Sequence, residues 1–236
     1  MKLRTAISLP YALVLSAAVL AGCAAAPSRV DPFEPANRAA YQFHDAVDTA
    51  VVKPMIKAYI DVVPALVRTG VSNFFNNIDD LFSALNGALQ GKPEKFSNDM
   101  GRVLLNTAFG VGGIFDLASM VGIERGDEDF GQTFGVWGFP QGPYVFIPFL
   151  GPTTFRDGTG LGVRIAASPT GAIHDVPVRN AVYGMTAVDR RAQAEEASKL
   201  VETAAIDRYL FIRNAYLQRR RYLVYDGKPP SEPEEE

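Results

Sequence analysis

The sequence has few of the residues that carry enzyme chemistry or hold small domains together. Its 236 residues include one cysteine, Cys23, and two histidines, His44 and His174. A single cysteine excludes an intramolecular disulfide, and two histidines leave little material for a metal centre or a general base. The formal net charge is −3 at pH 7, so the chain lacks the overall positive field that is typical of nucleic-acid-binding domains.

Long apolar runs are absent after the N-terminus. The chain opens with basic residues, an apolar run and small residues, which is the pattern of a secretory signal. The run ends at residues 20–23 in LAGC, which is typical of a bacterial lipobox that is cleaved before the cysteine and acylated on its sulfur. We therefore predict a signal peptide over 1–22 and a lipidated tether over 23–30. Two or three acyl chains on Cys23 would hold the protein on a membrane without a transmembrane helix. The alternative is an incidental cysteine beside an ordinary cleavage site.

Apolar residues recur at helical spacing through most of the mature chain, as at Phe43, Val47 and Val51. Prolines and glycines separate the periodic stretches, with Gly91 as a C-terminal stop. Residues 110–162 are rich in glycine and proline and are predicted to be irregular, with helix resuming near Val178. Because strand-like alternation is nearly absent, we predict an all-α body over 31–225. The proline-rich acidic end, 226–236, is predicted to be a disordered tail.

One stretch is unusual. Residues 108–123 carry a single charge, Asp116. The segment is too apolar for an ordinary surface loop, and too short and glycine-rich for a transmembrane helix, which needs about 20 apolar residues. It is either buried core of a helical domain or a membrane-plane or cavity-lining segment, where irregular backbone is tolerated.

No constellation of an enzyme is present in the sequence. There is no G-x-S-x-G nucleophile elbow, and the glycines at 110–113 follow a predicted helix rather than the strand that a dinucleotide loop requires. Each histidine precedes an aspartate, as in some metal phosphohydrolases, but further ligands at suitable spacing are missing. The acidic residues 127–129 lack the ligand pattern of a calcium loop. We predict that the protein is not an enzyme and holds no metal or cofactor.

Several long motifs resemble the MlaA (VacJ) family of outer-membrane lipoproteins, and together they cover almost the whole mature chain. They are DPFEPANRA (31–39), VVPALVRTGVSNFFNNI (62–78), ALNGALQGKP (84–93), NTAFGVGGIFDLAS (106–119), DEDFGQTFGVWG (127–138), GPYVFIPFLGPTTFRD (142–157) and RYLFIRNAYLQRRRYLVYDG (208–227).

The resemblance implies a fold and a function. Family members form a ring-like single domain of amphipathic helices that lies in the outer membrane of Gram-negative bacteria. They remove mislocalised phospholipids from the outer leaflet through an amphipathic channel and pass them to a periplasmic carrier protein, which maintains lipid asymmetry. Trimeric porins are their partners. A lipid-anchored periplasmic hydrolase that uses His44 or His174, and a structural envelope lipoprotein, are the alternatives.

Under this resemblance, residues 108–123 are expected to shape or gate the channel. Gly110, Gly112 and Gly113 would provide close backbone packing, and Asp116 would face the cavity or a helix terminus because a carboxylate in lipid is costly. The positions of the phenylalanines distinguish the alternatives: a channel protein turns such side chains toward lipid, whereas a structural protein buries them. The diagnostic residues are Phe74, Phe75, Phe82 and Phe109.

Overall fold

The structure is a computed structural model that describes residues 30–230. The predicted signal peptide, Cys23 and the last six residues of the chain lie outside this range. Asp226, the first residue of the predicted tail, accepts hydrogen bonds from Lys92 Nζ at 2.7 Å and Lys95 Nζ at 2.6 Å. The first residue of that segment therefore contacts the body of the protein.

The described chain is mostly helical, as predicted. Its elements are α1 (Glu34–Val47), a π-helical turn (Asp48–Val52), α2 (Lys53–Val62), α3 (Ala65–Leu89), α4 (Pro93–Ala108), α5 (Leu117–Met120), α6 (Phe130–Val136), β1 (Tyr144–Ile147), β2 (Gly151–Thr154), α7 (Phe155–Ala166), a 3-10 turn (Pro169–Ala172), α8 (Val176–Gln193), α9 (Glu195–Ala204) and α10 (Arg208–Val224).

Local sequence signals set many of the helix boundaries. Asp129, Asp175 and Asp207 cap the N-termini of α6, α8 and α10, each accepting a hydrogen bond from the backbone N–H three residues later. Prolines occupy the first turn of α1, α2, α4 and α8, where their missing N–H has no helical partner to lose.

The long helices α3 and α4 form an antiparallel pair that organises the molecule. The predicted stop at Gly91 is confirmed: this residue has φ +70°, and the N–H of Lys92 returns to the carbonyl of Gly87 at 2.8 Å. The apolar residues over 66–78 and those over 81–89 belong to one continuous helix, because no proline or glycine lies between the two stretches.

The middle of the chain is more regular than predicted. Residues 110–162 contain α5, α6, a two-stranded antiparallel hairpin and most of α7. Pro152 fits in β2, opposite Phe146, because both strands of an isolated hairpin are edges. Gly160 of α7 lies so close to α6 that an added Cβ would sit 2.5 Å from Gly131 N. Here glycine serves close helix packing, which the sequence pattern does not reveal.

The N-terminal and C-terminal parts of the domain meet at Asp31. This fully buried carboxylate accepts hydrogen bonds from Asn37 Nδ2 at 2.8 Å, Tyr209 Oη at 2.6 Å and Arg213 Nη1 at 3.0 Å. Asn37 also accepts from the backbone N–H of Phe146 at 2.9 Å. These bonds fasten α1 to both the hairpin and α10.

The distribution of polarity is the reverse of that in an ordinary globular domain. Among residues 30–230, nine buried hydrophobic side chains accompany eighteen buried polar or charged ones. Thirty-six large hydrophobic side chains in the same range are exposed. Water-exposed apolar area of this extent marks a membrane or protein contact. None of the described helices combines the length and hydropathy needed to cross a bilayer.

Candidate functional site

The segment 108–123 is an exposed apolar surface and not part of the core. It leaves the end of α4, turns through Gly110–113 and includes α5. Its large side chains face outward, with Phe109 74% and Met120 80% exposed. Val111, Ile114, Phe115 and Val121 are also exposed. The buried-core interpretation of this segment is therefore wrong.

The backbone of the segment folds into a tight, hydrogen-bonded turn. The N–H of Gly113 donates to Asn106 O at 2.9 Å, and the N–H of Phe115 donates to Gly110 O at 2.9 Å. Gly113 has φ +96°, and a Cβ there would lie 2.7 Å from the Asn77 Cβ of α3. Gly112 has φ +70° but open space around it. Glycine is thus required by contact and conformation at Gly113, and by conformation alone at Gly112.

Asp116 fastens the segment to α4. It caps α5 by accepting from Ser119 N at 3.1 Å, and it also receives hydrogen bonds from Asn106 Nδ2 at 3.0 Å and Arg102 Nη2 at 3.0 and 3.1 Å. Burial opposes ionisation of this carboxyl, but the hydrogen bonds from Ser119, Asn106 and Arg102 outweigh it and lower its pKa to about 2. Asp116 therefore lies at a helix terminus, one of its two predicted positions.

Beneath Asp116 lies a buried ionic network. Arg102 is 1% exposed, and its Nε donates to Asp80 Oδ2 at 3.0 Å, while Nη1 reaches Ser119 Oγ at 3.2 Å. Arg125 Nε donates to the other oxygen of Asp80 at 2.8 Å. These groups link α3, α4 and α5 through charge-assisted hydrogen bonds. Arg102 and Asp80 do not stand out in the sequence, because charged residues in an amphipathic helix usually belong to its solvated face.

An apolar groove of about 540 Å³ runs beside the segment. It is formed by the first half of α3, by the tip of the segment at Ile114 and Phe115, and by Met185 of α8. The lining is almost entirely apolar, with Leu66 and Phe74 among the contributing side chains. A groove of this size and chemistry can accept an alkyl chain.

The diagnostic phenylalanines divide into two groups. Phe74 and Phe109 are exposed, whereas Phe75 and Phe82 are buried. On α3, adjacent residues therefore face opposite environments, and Phe74 belongs to the outer apolar surface. A purely structural helical domain would bury all four.

The two histidines lie in different surroundings. His44 is half-buried; its Nδ1 accepts a hydrogen bond from Phe149 N at 3.3 Å, and its ring packs against Phe146 and Phe149. His174 is exposed. Within residues 30–230, no group of three or more histidine, cysteine, aspartate or glutamate side chains is arranged to hold a metal ion. The role of His44 in this geometry is to support the hairpin turn.

Comparison with known proteins identifies the family. The family model for the MlaA lipoprotein matches residues 29–223. The chain belongs to the MlaA lipoprotein family. It is 33% identical to the intermembrane phospholipid transport system lipoprotein MlaA of Escherichia coli K12, over 94% of this chain and 92% of that protein. The protein of the same name from Haemophilus influenzae is 34% identical over 91% of this chain and 90% of its own.

A solved structure supports the same assignment. It is described as "Structural basis for maintenance of bacterial outer membrane lipid asymmetry". The match has a TM-score of 0.72 and 30% identity, and it covers 83% of this chain and all of that one. The motifs that resemble the MlaA family also meet in space: Arg220 of the last motif pairs with Asp129 and Asp157 from two others.

Proposed function

We propose that this protein is an outer-membrane lipoprotein that removes mislocalised phospholipids from the outer leaflet through an amphipathic channel. It passes them to a soluble periplasmic carrier and thereby maintains lipid asymmetry. It catalyses no reaction and only provides a path for phospholipid from the outer leaflet to the periplasmic carrier. Its partners are phospholipid, the outer membrane, a trimeric porin and the periplasmic lipid-carrier protein.

The observation that carries this proposal is the reversed polarity of the domain. Exposed apolar faces on α3, α4 and the 108–123 segment suit an environment of acyl chains, whereas the ionic groups are buried in hydrogen-bonded pairs, away from lipid. The described helices are too short or too polar to span a bilayer, so the domain would lie in the membrane plane with its helix faces against lipid. Membership of the MlaA family supports the same arrangement.

The proposed role of residues 108–123 is to shape the entrance to the lipid path. Its apolar side chains would meet acyl chains, and the adjacent groove offers space for one. Gly110 permits the close approach of the backbone oxygens of Asn106 and Phe115, Gly112 and Gly113 adopt positive φ, and Asp116 holds the turn against α4. Any gating would then require movement of the segment as a unit, because its base is hydrogen-bonded to α4.

The direct test is lipid asymmetry in living cells. A Gram-negative strain that lacks its own MlaA-family protein should regain a low outer-leaflet phospholipid content when this chain is expressed. A double variant, Phe109→Ser with Met120→Ser, should restore less, while its abundance matches the wild type, because both side chains are exposed and contribute little to folding. The control is Phe149→Ser, an exposed aromatic residue on the hairpin. Full restoration by the double variant would refute the role of the segment.

The lipid anchor is tested separately. Cys23→Ala should abolish incorporation of labelled palmitate and leave uncleaved or mislocalised precursor. Label retained on that variant would contradict anchoring through this residue.

The absence of catalysis has its own test. His44→Ala and His174→Ala, at normal abundance, should keep most of the barrier function measured by detergent sensitivity. Loss in both would favour the hydrolase.

A further inference from the structure

Three arginines from three distant parts of the chain converge on one carboxylate. Asp79 of α3 accepts hydrogen bonds from Arg164 Nη2 of α7, from Arg190 Nη2 of α8 at 2.8 and 3.0 Å, and from Arg125 Nη2 at 3.5 Å. The four residues, Asp79, Arg125, Arg164 and Arg190, are called the Asp79 cluster below. The three guanidinium groups repel one another, and the shared carboxylate of Asp79 offsets that repulsion.

The Asp79 cluster has more positive than negative charge. Arginine stays protonated at every physiological pH, so three positive charges face one carboxylate. Arg125 also pairs with Asp80, but Asp80 is shared with Arg102, whose second partner is Asp116. Across these seven groups, four arginines meet three aspartates. Asp189, beside Arg190 in sequence, bonds to Ser72 Oγ at 2.6 Å, two helical turns from Asp79.

The cluster is accessible to a ligand. The side chains of Arg125, Arg164 and Arg190 are 36%, 26% and 49% exposed, and Asp79 is 25% exposed. Five N–H donors on each guanidinium exceed what the two oxygens of Asp79 can accept, so donors remain for another anion. The Arg164 guanidinium is also held in place 5.1 Å from the centre of the Phe82 ring.

A small cavity adjoins the cluster at Arg164. Its volume is about 180 Å³, and Arg164, Arg220, Thr153 and Tyr216 are among its lining residues. Asp129 and Asp157 also line this cavity and pair with Arg220, so two carboxylates face two arginines there, and the excess positive charge lies outside the cavity, at Asp79.

We propose that the Asp79 cluster is a binding site for phosphate, in the form of the phosphodiester of a phospholipid head group. The proposal rests on the proposed lipid-transport function. Asp79 holds the three guanidinium groups together before the ligand arrives and gives up part of its contacts when phosphate oxygens enter. The planar guanidinium fork matches two phosphate oxygens at once.

The first experiment measures binding to the mature protein in detergent. The probes are dihexanoyl phosphatidylglycerol, inorganic phosphate, and dihexanoylglycerol, which lacks phosphate. Arg164→Gln and Arg190→Gln should each weaken phosphatidylglycerol binding about tenfold, since each removes a charge-assisted contact. Binding of dihexanoylglycerol should not change. The control is Arg38→Gln: Arg38 is similarly exposed, pairs with Asp207 and Glu34, and stacks on Tyr209.

The second experiment measures thermal unfolding. It distinguishes a binding site from a cluster that only holds the helices together. Asp79→Asn should lower the midpoint of thermal unfolding in chloride buffer, and millimolar inorganic phosphate should restore it by replacing the lost anion. Asp207→Asn, which disturbs the ion pair with Arg38, should not be restored by phosphate. The proposal would be overturned if phosphate did not restore the unfolding midpoint of Asp79→Asn and if the arginine variants bound phosphatidylglycerol as the wild type does. The cluster would then only hold the helices together.

The remaining outcomes distinguish inorganic phosphate from a phospholipid head group. They also distinguish failure of the phosphate site from failure of the lipid-transport function. Binding of inorganic phosphate without phosphatidylglycerol would overturn the head-group assignment. Equal binding of phosphatidylglycerol and dihexanoylglycerol, unaffected by the arginine variants, would overturn the phosphate site while leaving lipid transport intact. Binding of neither lipid would count against the proposed function itself.

Discussion

Two stretches of this chain look alike in sequence and behave in opposite ways. Residues 108–123 and 142–154 are both apolar, interrupted by glycine or proline, and flanked by amphipathic helices. The first exposes its large side chains along most of its length. The second forms a hairpin whose Tyr144 and Phe146 are buried against Tyr209, and only its tip at Phe149 and Leu150 is exposed.

The two stretches differ in the contacts that hold them to the rest of the domain. The hairpin is held by apolar packing, with Phe146 against Tyr41 and Tyr144 against Tyr209 and Tyr216. The 108–123 segment is held by polar groups that point inward, so that its apolar side chains are left for the outside. Apolar composition alone therefore does not tell whether a segment faces a core or a lipid phase; the position of its polar residues does.

Breaking the polar anchor should have a large effect on stability. Arg102→Met removes the buried partner of Asp80 and Asp116 and leaves the buried Asp80 with only the more exposed Arg125, so the loss should approach about 3 kcal/mol. The free energy of unfolding from denaturant titration measures this loss. Arg125→Gln is the matched control, since Arg125 pairs with the same Asp80 from a more exposed position and should cost about 1 kcal/mol or less. Equal losses in the two variants would contradict the anchoring role of Arg102.

Removing a buried aromatic side chain of the hairpin should lower the free energy of unfolding about as much as Arg102→Met does. Removing an exposed one should not. Phe146→Ala opens a cavity in the aromatic core and should destabilise the protein by about 3–4 kcal/mol. Phe149→Ala and Phe109→Ala, at exposed positions, should each cost less than about 1 kcal/mol. The same unfolding titration compares them. A large loss for Phe109→Ala would place that side chain in the core and remove the contrast between the two stretches.

The glycines of the exposed segment should respond unequally. Gly113→Ala adds a Cβ that meets Asn77 and also strains a positive φ, so we expect a loss of about 2–3 kcal/mol. Gly112→Ala meets only the conformational strain and should cost about 1 kcal/mol. Thermal unfolding of the two variants checks the order. The reverse order would mean that the turn is held differently from the geometry described here.

The smallest expected effect is the pH dependence contributed by Asp116. Its pKa is lowered from an ordinary value of 3.8 to about 2 in the folded protein. A group with a depressed folded pKa adds stability above the unfolded pKa, and this contribution is lost as pH falls from near 4 toward 2. Asp116→Asn should therefore reduce the slope of stability against pH in that interval. An unchanged slope would contradict the ionised, hydrogen-bonded state of Asp116.

The sequence predicted the parts of the fold that depend on local pattern. The helical character and the stop at Gly91 follow from apolar periodicity and glycine chemistry. The helix α7 was missed, because its glycines at 158, 160 and 162 lower helix propensity and only contact with α6 explains one of them. The short hairpin was missed because prolines disfavour strands.

The site was only partly predictable. Asp116 and the three glycines stood out because they interrupt or accompany an apolar run. Arg102 and Asp80 did not, because they are 22 residues apart and meet only through the packing of α3 on α4. The Asp79 cluster was invisible for the same reason: its arginines lie 46, 85 and 111 residues from the carboxylate. Ion pairs between residues far apart in the chain do not follow helix or strand spacing, so a periodic pattern does not predict them.

The most direct test measures whether the exposed face of the 108–123 segment contacts lipid or water. If Cys23 is acylated, the mature protein has no other thiol, so Met120→Cys can be labelled with a nitroxide after reconstitution into phospholipid vesicles. Lys199→Cys, at an exposed charged position, provides the aqueous reference. If this face contacts lipid, the nitroxide at position 120 will be relaxed strongly by molecular oxygen, which partitions into lipid, and weakly by a water-soluble nickel chelate. Strong relaxation by the chelate, equal to that at position 199, would contradict the lipid-facing role of this surface.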